Sequence, residues 1–509
     1  MELLLALLSG ALLALSFPKF GHPAIAWIAV APLLVAVCHR PLPWRRGFLL
    51  GLVTGIVYFA GTLYWLVETM TTFGGLGTPM ATVAAALLIV YLALFPAGFA
   101  AIQARLVATY GRGWIFAAPP IWMASEMGRT YVLDGFPWEL VGYSQATTLP
   151  IAQIASVIGV YGLSGLVVLV SAAAAYAAID RSPRRWRVAA AVALTVIATA
   201  TWGTFRIARG ELRTSGTPIR VAVLQGNILQ DQKWDPALRD RIMGRYIEMT
   251  REAIGRNAQF ILWPESATPL PYEEDVARGE LIRRLAREGK VTILVGSDQI
   301  EPVKAVASAT PPPPRIYNAA YLVQPDGSTA AIYRKIHLVP FGEYVPFSRL
   351  LFFVGPLVEA VSAFSPGTEA VLLPVAGHQA STAICYEVIY SNLMRSFVVR
   401  GSELLTTITN DAWYGWSSAA YQHWEQASLR SIEQGRYLAR AANTGISGFV
   451  DPYGRVLQKS EMFQSAVMAE DLRFITERTI YSRIGDVAGW LGVAFTLAAV
   501  VATRRRRAS

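Results

Sequence analysis

The chain has 509 residues, 53% of them hydrophobic and only 16% charged, which is too apolar for an ordinary soluble protein. Its net charge of +10 gathers in short loops, which reads as membrane topology and not as a nucleic-acid footprint. Two cysteines, Cys38 and Cys385, exclude a disulfide framework.

In chain order, apolar segments at Leu3–Phe17, Ala24–Cys38, Gly47–Val67, Met80–Gln103, Gly113–Ser125, Pro150–Ile179, Val188–Phe205 and Ile484–Thr503 predict eight membrane spans. Seven lie in residues 1–205 and the last in 484–503, so the first part is a polytopic α-helical membrane domain. Basic residues cluster at Cys38–Arg46, Gln103–Arg112, Asp180–Arg187 and Arg504–Arg507, while the alternate loops are poor in Lys and Arg. Positive loops stay in the cytoplasm. Eight spans then put both termini there and the region between spans seven and eight outside, in the periplasm of a bacterium. Arg206, Arg209 and Arg213 run against that trend, but large domains translocate largely regardless of charge. The outer loop with Glu126, Arg129, Asp134, Trp138 and Glu139 reads as an interfacial aromatic belt with solvated charges, with a functional loop as the alternative.

From Pro218 the rhythm changes. IRVAVLQGNI, FILWPES, VTILVGSD, STAICYEV and ELLTTITNDAW are short apolar runs bounded by turn residues, as buried strands are. Helical stretches are expected at Pro236–Arg256, Gly279–Glu288, Ile389–Val399 and Tyr421–Arg440. YLVQPDGSTAAIY carries Asp326–Gly327 and predicts a β-hairpin. Residues 218–475 are therefore a layered α/β domain.

Functional groups in α/β folds sit where strands end. FILWPES ends on Glu265, the hairpin's second arm runs into Lys335, and TAIC ends on Cys385. A carboxylate to take the thiol proton, an ammonium to favour the thiolate and the next oxyanion, and a thiol make a complete acyl-transfer set. Singly, each has a plainer reading: an inert core cysteine, a solvated turn carboxylate, a surface lysine beside Arg334. His378 and His423 are the alternative bases for Cys385. The five histidines show no metal-ligand spacing, and there is no G-x-S-x-G or P-loop motif.

WPESATPLP, RKIHLVPFGEYVP, ICYE and TNDAWYG, in that order, resemble the carbon–nitrogen hydrolase (nitrilase) superfamily. With the spans and GYSQ before the domain, nearly the whole chain resembles the bacterial apolipoprotein N-acyltransferase family. The resemblance implies a nitrilase-like αββα sandwich on the periplasmic face of the inner membrane. It implies Glu265 as general base, Lys335 as oxyanion stabiliser and Cys385 as nucleophile, with Glu343, Trp234, Tyr386 and Glu387 in support, and neither metal nor other cofactor. The implied reaction is ping-pong. An acyl chain leaves a phospholipid, by family habit phosphatidylethanolamine, for Cys385 as a thioester. It then passes to the α-amine of the S-diacylglyceryl cysteine of an apolipoprotein. The apolar stretch Leu350–Val361, with Phe352 and Phe353, is expected to dip into the interface as a lid or to pack on the domain core. A membrane-tethered amidase and a non-catalytic receptor or transporter are the rival readings.

Overall fold

The computed structural model describes residues 1–303, 313–340, 342–344 and 364–508. The expected lid at 350–361 lies outside the described residues.

Among the described residues, four helices are long and apolar enough to cross a membrane: Thr78–Tyr110, Ala155–Ile179, Arg184–Thr214 and Val487–Arg504. A fifth is a bent pair, Trp44–Thr62 and Trp65–Thr72, meeting at 52°. The other three expected spans are helical but short. Glu2–Ala14 has 13 residues and Ala118–Tyr131 has 14, a rise of about 20 Å against a hydrocarbon core of about 30 Å. The expected span at 24–38 is two helices, Pro23–Ala29 and Ala31–Cys38. Pro32, in the first turn of the second, has no N–H to continue the first.

Small residues set the helix packing. On Trp44–Thr62, a Cβ at Gly51 would stand 2.3 Å from the Pro96 carbonyl oxygen, and one at Gly55 2.7 Å from the Ala93 Cα. Only glycine lets this helix press so closely on Thr78–Tyr110.

Among the described residues, the α/β domain holds two six-stranded sheets. The first contains β1 (Thr217–Gln225), β2 (Phe260–Leu262), β3 (Thr292–Glu301), β4 (Arg315–Val323) and β5 (Thr329–Arg334). The second contains β6 (Leu373–Val375), β7 (His378–Ile384), β8 (Leu404–Thr409), β9 (Leu438–Ala442), β10 (Gly448–Val450) and β11 (Val456–Lys459). The last strand, β12 (Ala466–Phe474), returns to the first sheet, giving the orders β12-β1-β2-β3-β4-β5 and β11-β10-β9-β8-β7-β6. Each sheet has three central parallel strands, β1-β2-β3 and β7-β8-β9, flanked by antiparallel neighbours. The sheets face each other, β1 toward β9 and β4 toward β7. Helices Arg239–Gly255 and Val276–Gly289 cover the first sheet through Ile242, Tyr246, Ile282 and Leu285. Helices Ser391–Arg400 and Ala419–Gln434 cover the second. This is the αββα sandwich.

The expected hairpin is β4–β5, turning at Gly327 with φ +83°. The helix expected over Tyr421–Arg440 ends at Gln434, because Gly435 takes a left-handed φ of +64° and caps it. Leu438–Ala442 then pairs as β9 between β8 and β10. Its sequence, LARAA, favours a helix, and two neighbouring strands override that preference.

Candidate active site

The carboxyl ends of the parallel strands β2, β7 and β8, with the end of β5, converge on one buried pocket. Glu265 follows β2 through Trp263 and Pro264. Trp263 anchors that turn: it is fully buried, stacks on Tyr246 at 4.9 Å and donates its indole N–H to Thr250 Oγ1 at 3.0 Å. The Glu265 carboxylate accepts from Asn318 Nδ2 at 2.7 Å and from the Asn410 backbone N–H at 2.8 Å. Lys335 directly follows β5. Its Nζ lies 3.4 Å from Glu265 Oε1 and 2.9 Å from Glu343. Glu343 in turn accepts from Asn318 Nδ2 and from the Val339 N–H, both at 2.9 Å. One ammonium therefore sits between two carboxylates, and Asn318 bridges the same pair from β4. Burial alone would push the Lys335 ammonium toward neutrality. Glu343 and Glu265 overcome it and hold Lys335 charged, well above the ordinary lysine range.

Cys385 opens the tight turn Cys385–Ile389 with φ +54°, a left-handed backbone that a side chain rarely adopts. Burial and the Glu265 carboxylate push its thiol up to about 12, against the pull of Lys335. Cys385 thus rests as a thiol. The neighbouring Thr409 hydroxyl donates to Asp411 Oδ1 at 2.9 Å. Alkylation of the free protein by iodoacetamide is expected to follow an apparent pKa above about 10, against about 8.5 for a free cysteine. A pH–rate profile that levels off below about pH 8 would overturn this.

Glu387 ties the two halves of the site together. It accepts from the Ile384 N–H at 2.7 Å beside Cys385, and from the Ile336 and His337 N–H groups at 2.6 and 3.1 Å beside Lys335. It also accepts from Tyr333 Oη at 2.8 Å. Burial nevertheless raises its carboxyl to about 7. Tyr386 is buried within hydrogen-bonding reach of Tyr390 Oη at 3.2 Å. Trp234 stands apart on the open side, 46% exposed, with the Lys233 ammonium 5.7 Å from its ring.

Neither alternative base faces the thiol. His378 Nδ1 pairs with Glu403 at 2.7 Å and its ring stacks on Phe474. His423 Nε2 meets the Cys385 backbone carbonyl at 3.1 Å, while its Nδ1 meets Asp411, which Arg440 pairs at 2.9 Å. That chain braces the left-handed turn from beneath.

The sequence reading passed over three groups in the pocket. Asn318 is the one amide in the apolar strand β4, which was its signal. Asn410 lies inside the TNDAWYG motif. Lys233, next to Trp234, buries its Nζ 3.2 Å from the Glu265 carbonyl oxygen, and burial lowers it to about 8. The outer loop at 126–139, read as an interfacial belt with solvated charges, instead buries Glu126, Arg129 and Glu139, whose polar groups find partners inside the protein. Trp138 and Phe136 pack on Tyr386 with ring centroids 6.5 and 5.8 Å apart. Trp138 Nε1 donates to Gln422 at 2.8 Å, and Trp65 packs on Tyr414. The helical N-terminal region thus forms a wall against residues flanking Cys385.

Residues 9–173 match the family model of the apolipoprotein N-acyltransferase N-terminal domain, and residues 220–477 match that of carbon-nitrogen hydrolase. An apolipoprotein N-acyltransferase of Geobacter metallireducens is 39% identical, with 99% of this chain and 96% of the relative aligned. One from Methylococcus capsulatus is 34% identical over 100% of this chain and 97% of its own. Among solved structures, an amidase from Nesterenkonia sp. aligns with 52% of this chain and 94% of its own, at 21% identity and a TM-score of 0.37. Both family models match in the expected order, and these relatives align over nearly their whole length. The chain belongs to the apolipoprotein N-acyltransferase family.

Proposed function

We propose that the protein moves a fatty acyl chain from a phospholipid to the α-amine of the S-diacylglyceryl cysteine at the N-terminus of an apolipoprotein, through a thioester on Cys385. The observation that carries this reading is the buried Glu265–Lys335–Glu343 cluster beside Cys385, walled by aromatics of the membrane domain. Phosphatidylethanolamine is the proposed donor. The proposed setting is the bacterial inner membrane, with the α/β domain in the periplasm and both termini in the cytoplasm. The basic loops between apolar segments support that topology.

In the first half-reaction the Cys385 thiol gives its proton to the Glu265 carboxylate as Sγ attacks the ester carbonyl carbon. The tetrahedral oxyanion forms opposite the Lys335 ammonium, which stays charged because two carboxylates hold it so. The ester C–O bond breaks, Glu265 returns the proton to the departing oxygen, and lysophospholipid leaves. In the second half-reaction the acceptor amine attacks the thioester and Glu265 takes its proton. The C–S bond breaks, an amide forms, and the proton returns to Cys385. Exclusion of water matters, since water would hydrolyse the thioester. Trp138, Phe136 and Tyr386 supply apolar walls. Glu343 and Asn318 orient Lys335, and Glu387 keeps the lysine and cysteine segments in register.

The test is the intact mass of the detergent-purified protein after incubation with phosphatidylethanolamine, beside Cys385→Ala. A hydroxylamine-labile gain of one acyl chain is expected, absent in the variant. Adding a diacylated lipopeptide should discharge it into an amide-linked acyl chain. Release of free fatty acid alone would replace this reading by a hydrolase.

A further inference from the structure

The arginines that follow the seventh apolar segment play no part around Cys385. Arg206 and Arg209, with Arg478 from the other end of the α/β domain, line a cavity of about 280 Å³ whose walls include Trp202, Phe205 and Tyr453. The cavity sits at the end of the helix Arg184–Arg209, where that helix leaves the apolar layer. Leu194 and Ile197 on this helix are 65% and 59% exposed. Such apolar exposure along a span-length helix fits a lipid contact. Trp202 and Phe205 then stand at the boundary, where aromatic rings gather.

The charges at this boundary are poorly matched within the chain. The Arg206 guanidinium lies 4.8 Å from the centre of the Tyr453 ring and donates to the Gln153 amide oxygen, a neutral partner. Arg209 and Glu211 pair at 3.5 Å with both side chains largely exposed, a contact worth little. Arg478 donates to the Val399 carbonyl oxygen at 2.8 Å. Arg213 is not among the lining residues, and it shares with Arg206 the attraction of the Asp451 carboxylate. Glu211 and Glu477 also line the cavity, so three guanidinium groups face two carboxylates. Cations in a last helical turn complement the helix dipole, which accounts for Arg206 and Arg209. It does not account for Arg478, which arrives from a separate segment, nor for the space between them. Arginine forks match phosphate oxygens in pairs. The volume is slightly below the roughly 300–1,000 Å³ of pockets that enclose a whole small molecule. It suits a head group whose chains stay in the bilayer beside Phe205.

We propose that this cavity binds the phosphodiester head group of a phospholipid from the surrounding leaflet, at a site separate from that of the acyl donor. The bound lipid would fasten the helix end to the loop at Glu477–Thr479 and so stabilise the junction between the two domains.

The test is a titration of the full-length protein in detergent with phosphatidylglycerol, read by native mass spectrometry and by Tm, beside an arm with inorganic phosphate alone. The wild type should retain lipid and gain Tm, less so at high salt. Arg209→Gln/Arg478→Gln should bind one lipid fewer, or that lipid about ten-fold more weakly, a loss of about 1.4 kcal/mol. Arg478→Gln alone, at the surface, should show part of the same loss. Variants with wild-type lipid-free Tm that retain the full lipid complement and affinity would overturn the proposal. So would an equal rise in Tm with inorganic phosphate alone, which would make this a free-anion site.

Discussion

Replacing Cys385 by serine is expected to lower acyl transfer by about 10⁴-fold or more, in line with losses on removing a nucleophile from a coupled catalytic set. The Tm should barely move. Serine is close to cysteine in size and meets the same left-handed backbone, φ +54° at this position, so the turn braced by His423 and Glu387 has no reason to rearrange. The chemistry changes instead. A carboxylate such as Glu265 can take a proton from a thiol in concert with attack, but a hydroxyl is a far weaker acid. The thiol here is already pushed up to about 12 by burial and by Glu265. On the proposed mechanism the carboxylate already takes its proton from a weak acid, and an alcohol is a weaker one still. Turnover with phospholipid and a diacylated lipopeptide, measured beside thermal unfolding, checks both halves. A serine variant with more than about one per cent of wild-type activity would show that the thiol is not the acyl carrier.

Much of this site was legible because its pieces are local. Glu265, Lys335 and Cys385 each end an apolar strand, and a strand end is visible in one dimension. The β4–β5 hairpin announced itself through Asp326–Gly327. What stayed hidden depends on packing between distant segments. LARAA carries helix-forming residues, and only β8 and β10 on either side make it β9. Trp138 and its neighbours have the composition of an interfacial belt, and nothing nearby in sequence shows that Tyr386, about 250 residues later, lies against them. The helix Ala419–Gln434 reads as amphipathic, yet its charged face is buried as well. It lies between the second sheet and the apolar helix Ala155–Ile179, with Arg430 and Glu433 paired at 2.8 Å and both fully enclosed. Glu433 also accepts from the Val160 N–H at 2.8 Å, and Arg430 donates to Tyr143 Oη at 2.8 Å. A buried polar seam of this kind gives the two domains one fixed docking geometry, because each displaced partner would leave an unpaired charge.

The same logic makes Lys335→Met the second large effect, and here stability and activity should fall together. Lys335 is 1% exposed, and its ammonium is the shared partner of Glu265 and Glu343. Removing one member of a buried ion pair costs about 3–5 kcal/mol, because the partner charge is left uncompensated. In the variant two buried carboxylates would face each other across Asn318, and such a pair cannot stay doubly ionised. One takes up a proton on folding. The sign of the pH dependence follows: the unfolded variant binds fewer protons than the folded one near neutrality, so its stability rises as pH falls. The Tm deficit against wild type should therefore narrow on acidification toward pH 5 and widen toward pH 8, the range above the ordinary carboxylate values near about 4. Catalysis falls as well. The oxyanion loses its cation, worth about 10²–10³, and a proton shared between the two carboxylates weakens the base that would take the thiol proton. The variant should be at least about 10²-fold down, with no thioester adduct in the intact mass. A Lys335→Met protein that keeps more than a tenth of the wild-type rate, or whose Tm deficit is flat from pH 5 to 8, would mean that the ammonium neither faces the oxyanion nor holds the two carboxylates charged.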